Sequence, residues 1–156
     1  LSRGIEASIL PTCRELGVSI SAYGVLTRGL LSGHWSQDRA LTPGDFRSWV
    51  PRFSGENLET NLRLVEDLSR VATEMGMAVA QLAIAWVLAR GEDVIPLVGA
   101  RRRDRLAEAL GALDVTLSPA DLARIEATIP AGAAAGDRYP TQAMAQLDSE
   151  QAPTST

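Results

Sequence analysis

Apolar residues fall along this chain in two patterns, a recurrence every three or four positions and short unbroken runs, and the contrast sorts its elements. Ile5, Ile9, Cys13 and Leu16 recur at helical spacing and stop at Gly17, a residue suited to ending a helix. Pro11 inside that run either bends the helix or moves its start to later residues. Val18 to Tyr23 reads as a short buried strand ending at Gly24. From Leu58, apolar positions 58, 62, 65, 68, 72 and 75 mark a long amphipathic helix closed by Gly76. A second helix sets Val79, Leu82, Ala83, Trp86 and Val87 on one face and ends near Gly91. A second strand at 94–98 then leads into a helix from about Arg102 to Gly111. Ser118-Pro119-Ala120-Asp121 opens a last helix, with an N-cap, a first-turn proline and an acid placed for a capping box. Leu122, Ile125 and Ile129 give that helix its apolar face.

Residues 24–56 hold seven glycines or prolines together with Trp35, Phe46, Trp49 and Phe53. That is too long for an idle connection, so it reads as a functional loop anchored by aromatics. After Pro130 the composition turns to Ala, Gly and polar residues; 131–156 reads as a C-terminal tail, with 148–156 disordered. Strands separated by helices imply parallel β/α units and an α/β fold. Two parallel strands alone make no viable core, because such sheets are covered on both faces and both edges here lack partners. Either most of the sheet lies outside this chain, or the chain pairs with another.

Composition narrows the picture. At 156 residues the chain is short for a closed eightfold β/α barrel of about 250. It is 46% apolar and 22% charged, as a globular protein is. A net charge of −4 argues against a nucleic-acid surface. No apolar run approaches the roughly 20 residues of a membrane span. The single cysteine, Cys13, has no internal partner and fits a reduced, cytosolic setting. All 15 basic residues are arginine, and lysine is absent. The chain opens Leu1-Ser2-Arg3, in mid-pattern and without a methionine, which reads as the interior of something longer.

The chemistry gathers at 93–110. There the run Val94 to Val98 meets Gly99, and a helix opens on Arg101, Arg102, Arg103 and Arg105. Helix N-termini carry partial positive charge, so arginines there repel the dipole unless an anion sits among them. Gly99 would let the backbone approach such an anion, a phosphate above all; the competing reading is a solvated basic face. His34, Asp45, Glu56 and Asp93 form no ligand-spaced cluster, so no metal site is expected. Ser21, Ser32 and Ser54 lack a nucleophile elbow. Arg47 and Arg52 either reach a ligand from the long loop or serve as caps and surface residues.

The segment Ala22-Tyr23-Gly24-Val25-Leu26-Thr27-Arg28-Gly29-Leu30-Leu31-Ser32-Gly33 resembles the Y-S-P-L-x-R-G-L-L-T-G motif of the aldo-keto reductases. Pro51 to Asn57 and Gln81 to Leu88 resemble two further blocks of that family. Ile95 to Arg101 with Arg105-Leu106-Ala107-Glu108 is similar to its P-x-x-G-[TA]-x(4)-R-L-x-E-N signature. Gly136-Asp137-Arg138-Tyr139-Pro140 resembles the G-x-R-Y-P tail of the bacterial branch. The likeness runs from about residue 1 to 147.

The resemblance implies a (β/α)8 TIM barrel that transfers hydride from NADPH to an aldehyde or ketone. This chain would be its C-terminal part, 1–130 with a tail at 131–156, supplying the last two strands. The family's Asp, Tyr, Lys and His tetrad would then lie before residue 1, so the chain carries no catalytic acid and the fragment alone is inactive. A non-catalytic half-barrel, binding nucleotide as a subunit or sensor, is the alternative. By position, Tyr23 matches the aromatic that stacks on nicotinamide, and Gly24, Val25, Leu26, Thr27 and Arg28 match the loop around the pyrophosphate. Gly24 and Val25 stand where Ser-Pro is common, which removes a hydroxyl and a rigid ring. Gly99, Arg101 and Arg105 match positions around the adenosine phosphate, and guanidinium groups there favour NADP over NAD. Glu108 matches the acid that bonds the adenine amine, while Ala109 replaces an Asn and deletes a contact. His34 falls where relatives often carry a basic residue, away from the tetrad position.

Overall fold

The computed structural model describes residues 1–35, 39 and 41–147. Two parallel strands sit beside a set of helices: β1 (Ile20–Ala22) pairs with β2 (Val94–Pro96), Ile20 opposite Val94 and Ala22 opposite Pro96. Ile20 N–H donates to Asp93 C=O at 2.7 Å and Leu97 N–H to Ala22 C=O at 2.8 Å, extending the ladder at each end. Both strands are shorter than the runs 18–23 and 94–98 suggested. Val18 N–H instead closes onto Cys13 C=O at the end of the preceding helix, which takes Val18 out of the ladder.

That helix, α1 (Ile9–Glu15), begins four residues after Ile5, behind a 3-10 turn at Gly4–Glu6. Pro11 therefore occupies its third position, where the missing N–H costs nothing. Between the strands lie α2 (Gly55–Glu74) and α3 (Val79–Leu88), and after β2 come α4 (Arg103–Leu110), α5 (Pro119–Thr128) and a short α6 (Thr141–Met144). In α5 the Ser118 hydroxyl accepts from Asp121 N–H at 3.2 Å, and the Asp121 carboxylate accepts from Ser118 N–H at 2.9 Å. Two backbone donors at the start of the helix are thereby satisfied.

The core forms where the stripe of α2 (Val65, Leu68, Ala72) meets Val79, Leu82 and Ala83 of α3. Leu30, Leu31, Val50 and Phe53 of the long loop complete it, with Ile125 of α5. The loop is thus buried through its anchors rather than laid over the surface. Among its described residues, three 3-10 turns, Thr27–Ser32, Phe46–Trp49 and Pro51–Phe53, carry it. One polar side chain, Asn61, is fully buried among these apolar groups.

Helices cover only part of the sheet. Ile95 is 53% exposed and Val18, just before β1, is 51% exposed. Before α6 the segment after Pro130 touches α2 and the long loop, Ala135 C=O accepting from Asn61 at 2.9 Å, Gly136 C=O from Arg52 at 3.0 Å and Arg138 C=O from Arg28 at 2.7 Å. The disorder expected at 148–156 lies outside the described residues.

Candidate functional site

The C-terminal ends of β1 and β2 open onto a cleft of about 1000 Å³. Tyr23 leaves β1 at its rim, 57% exposed, as an aromatic ring available to a flat partner. The Tyr139 hydroxyl donates to the Tyr23 hydroxyl at 3.3 Å. That shared bond, with partial burial, holds the Tyr23 phenol above its usual pKa.

The chain then turns sharply. Gly24 has φ +70°, and a Cβ built there would meet nothing within 4 Å, so the backbone lies open to the cleft. Thr27 and Arg28 follow with φ of 48° and 53°, a conformation uncommon for non-glycine residues and an outlier for β-branched threonine. Each such residue costs about 1–2 kcal/mol, which persists only where surrounding contacts over-determine it. The contacts are visible. Thr27 N–H donates to Gly24 C=O at 2.8 Å, Gly29 N–H to Leu26 C=O at 2.9 Å, and Leu30 is wholly buried just downstream. Leu26, at φ −90° and ψ 15°, leads directly into the left-handed pair, so the chain reverses direction within these three residues.

Arg28 is fastened from several sides. Its Nη1 donates to Arg138 C=O at 2.7 Å, and its guanidinium lies 4.6 Å from the Tyr139 ring centroid and 4.9 Å from that of Phe46. Arg47 Nη1 donates to Arg28 C=O at 3.3 Å. Arg47 in turn grips Asp45, whose carboxylate also accepts from Arg47 N–H at 3.0 Å. Those bonds from the Arg47 side chain and backbone hold the Asp45 pKa down at about 2. Arg47 therefore braces the loop from within, and Arg52 binds Gly136 C=O at 3.0 Å and Ser2 Oγ at 2.9 Å.

At the second junction Gly99, Arg105, Glu108 and Ala109 line the same cleft as Tyr23 to Arg28. Arg105 Nη1 donates to Glu108 at 2.9 Å and also contacts His34 Nε2, and His34 Nε2 stands 3.5 Å from Glu108. His34 thereby links the long loop to α4 beside the arginine. Arg101 is exposed, lies before the first turn of α4 and is not among the residues that line the cleft. Arg102, the N-cap, is held in a two-pronged pair with Asp104 at 2.9 and 2.7 Å. Asp104 therefore offsets part of the repulsion between the arginines and the helix dipole, a role the charge pattern alone assigned to a bound anion. Of the cluster, Arg105 is the guanidinium that faces the cavity.

Arg138 and Tyr139 also line the cleft, and Phe46 packs on Arg28 behind it, although spacing did not single them out. The signal present was the Gly-Asp-Arg-Tyr-Pro string, which pointed to a family without pointing to a place. Among the described residues no group of three His, Cys, Asp or Glu side chains is arranged to hold a metal ion. No single helix there is long and apolar enough to cross a membrane.

Set beside known proteins, residues 1–130 match the model of the Aldo/keto reductase family. The chain belongs to that family. The probable aldo-keto reductase 1 of Glycine max is 41% identical over 138 residues, covering 88% of this chain and 40% of the relative. Among solved structures, the glycerol dehydrogenase of Gluconobacter oxydans superposes with a TM-score of 0.76 at 30% identity, covering 82% of this chain and 39% of that one. The chain thus spans about two fifths of the length of these relatives. Its parallel strand pair with flanking helices corresponds to part of a TIM-barrel-type α/β fold.

Proposed function

We propose that this aldo-keto reductase chain forms one side of a dinucleotide site in an NADP-dependent enzyme that moves hydride between NADPH and an aldehyde or ketone. One observation carries the reading: Tyr23, the strained loop Gly24–Arg28 and the Gly99–Arg105–Glu108 junction all border one cleft. A nicotinamide ring stacks on the exposed face of Tyr23. The pyrophosphate lies against the open backbone at Gly24 to Arg28, and Gly99, with no atom within 4 Å of a built Cβ, leaves room for close approach. Arg105 takes the 2′-phosphate, and Glu108, released from its pair with Arg105, accepts from the adenine amine. Ala109 offers no side-chain donor, so adenine is held less firmly here than where an Asn stands. The nicotinamide supplies the hydride; the protein's own contribution is orientation and fixed charge.

Catalytic proton transfer is assigned outside residues 1–156. The chain contains no lysine, so the lysine partner of the family's tyrosine acid is not among its residues. The same fact favours the second reading, a half-barrel that binds nucleotide as a subunit or sensor. The partner of the complete enzyme is a small carbonyl compound, and neither reading involves nucleic acid.

Titrating the chain with NADPH and NADH, followed by nucleotide fluorescence, tests the assignment. NADPH is expected to bind more tightly, and Arg105→Ala to weaken NADPH about tenfold while leaving NADH nearly unchanged, the effect of losing one charge-assisted bond. Equal affinities in wild type and variant would remove the phosphate from this junction. With an aldehyde added, no NADPH oxidation above a buffer blank is expected; measurable turnover would overturn the absence of a catalytic acid.

A further inference from the structure

The Gly136–Pro140 string has no part in the dinucleotide reading above, yet the fold holds it firmly in one place. Asn61, fully buried, donates through Nδ2 to Ala135 C=O at 2.9 Å and accepts from Ala135 N–H at 2.9 Å. One residue later Gly136, at φ +74°, lies so close to Pro51 and Arg52 that a Cβ would sit 3.0 Å from the Pro51 carbonyl carbon and 3.1 Å from the Arg52 nitrogen. Only glycine passes there, and the passage aims the next residues at the rim of the cleft. Arg138 C=O then receives Arg28, the Tyr139 ring covers the Arg28 guanidinium, and the Tyr139 hydroxyl reaches Tyr23. Arg28 is also one of the two left-handed non-glycine residues among those described.

A left-handed arginine and threonine in succession need an external hold, because the unconstrained chain relaxes out of that conformation. The downstream hold is the buried Leu30 and Leu31. Phe46 and Arg47 hold Arg28 from the long loop, and Arg138 and Tyr139 hold its guanidinium from the C-terminal segment. We infer that Arg138 and Tyr139 are positioning residues for the loop Gly24–Gly29, clamping Arg28 so that the loop keeps its cleft-facing shape. Their consequence for nucleotide binding rests on the proposed function; the clamp itself does not.

Hydrogen exchange on the intact chain separates the two. Tyr139→Leu keeps apolar bulk but removes the ring face. Amides of residues 24–29 are expected to exchange about fivefold faster in it, the scale of one cation–π contact, with α5 unchanged. Tyr139→Phe retains the ring and is expected to stay within about twofold of wild type. Arg28→Gln withdraws the cation while leaving the tail sequence intact, and should loosen the same amides if Tyr139→Leu does not fold. Unchanged exchange at 24–29, or acceleration spread evenly over the chain, overturns the clamp. So does a Phe variant as loose as the Leu variant. Local loosening in a wild-type background that binds no NADPH upholds the clamp and removes the dinucleotide reading. Where NADPH does bind, its affinity is expected to fall with Tyr139→Leu and not with Tyr139→Phe.

Discussion

Single side chains on this scaffold act mostly by bracing backbone. Arg47 illustrates it: the guanidinium grips Asp45, donates to Arg28 C=O, and leaves little capacity for a ligand. Asp45 reports the brace through pH. Its pKa lies at about 2 against an ordinary 3.8, so the carboxylate form is favoured in the folded state. A depressed pKa contributes stability above the unfolded value, and that stability is lost as pH falls through the folded one. The denaturant midpoint should therefore drop between about pH 4 and pH 2 more steeply in wild type than in Asp45→Asn; parallel curves would show that the pair contributes nothing. His34 is the residue whose place was least legible in advance. Spacing put it after a loop glycine, but its meeting with Arg105 and Glu108 depends on how 29–35 folds against α4.

Elements of regular pitch were readable because their signal is local. The stripe on α2 and α3 places Val65, Leu68, Ala72, Val79 and Leu82 in the core where periodicity put them, and the Ser118–Asp121 cap forms as spaced. Strand length was not readable, since it belongs to the pairing: Val18 and Ser19 have strand-like sequence but no neighbour to bond. The join between α2 and the C-terminal segment was equally hidden, because Asn61 inside an apolar stripe looks like an interruption. It is instead a set of three hydrogen bonds, to Arg52 C=O at 3.1 Å and to both backbone groups of Ala135. Asn61→Ala leaves a buried N–H and two carbonyls unpaired, so a loss of about 3 kcal/mol is expected from urea unfolding. A cost below about 1 kcal/mol would mean that water reaches those groups and that the join is loose.

At the scale of the whole molecule, a well-packed helical layer carries a sheet with uncovered surface. Leu97 is 52% exposed and Leu16 is 70% exposed, beside the similarly open Ile95 and Val18. Unpaired strand edges with apolar neighbours template further pairing. Sedimentation velocity of the chain should accordingly show association rising with concentration, and Ile95→Lys should suppress it. A concentration-independent monomer would mean that the edge is protected in solution. The general architecture was legible from the alternation of strand and helix, and the family from linked motifs. The route of residues 131–147 was not, since nothing in an Ala- and Gly-rich string announces which surface it will touch.

The ladder between β1 and β2 joins Ile20 to Val94, with α2 and α3 folded inside the span. Closing so long a loop is entropically expensive until its contents have condensed. The helical pair is thus the natural nucleus, and the strands zip last. On the ribosome β2 is made some seventy residues after β1, so this ladder can close only once the intervening helices have been synthesised.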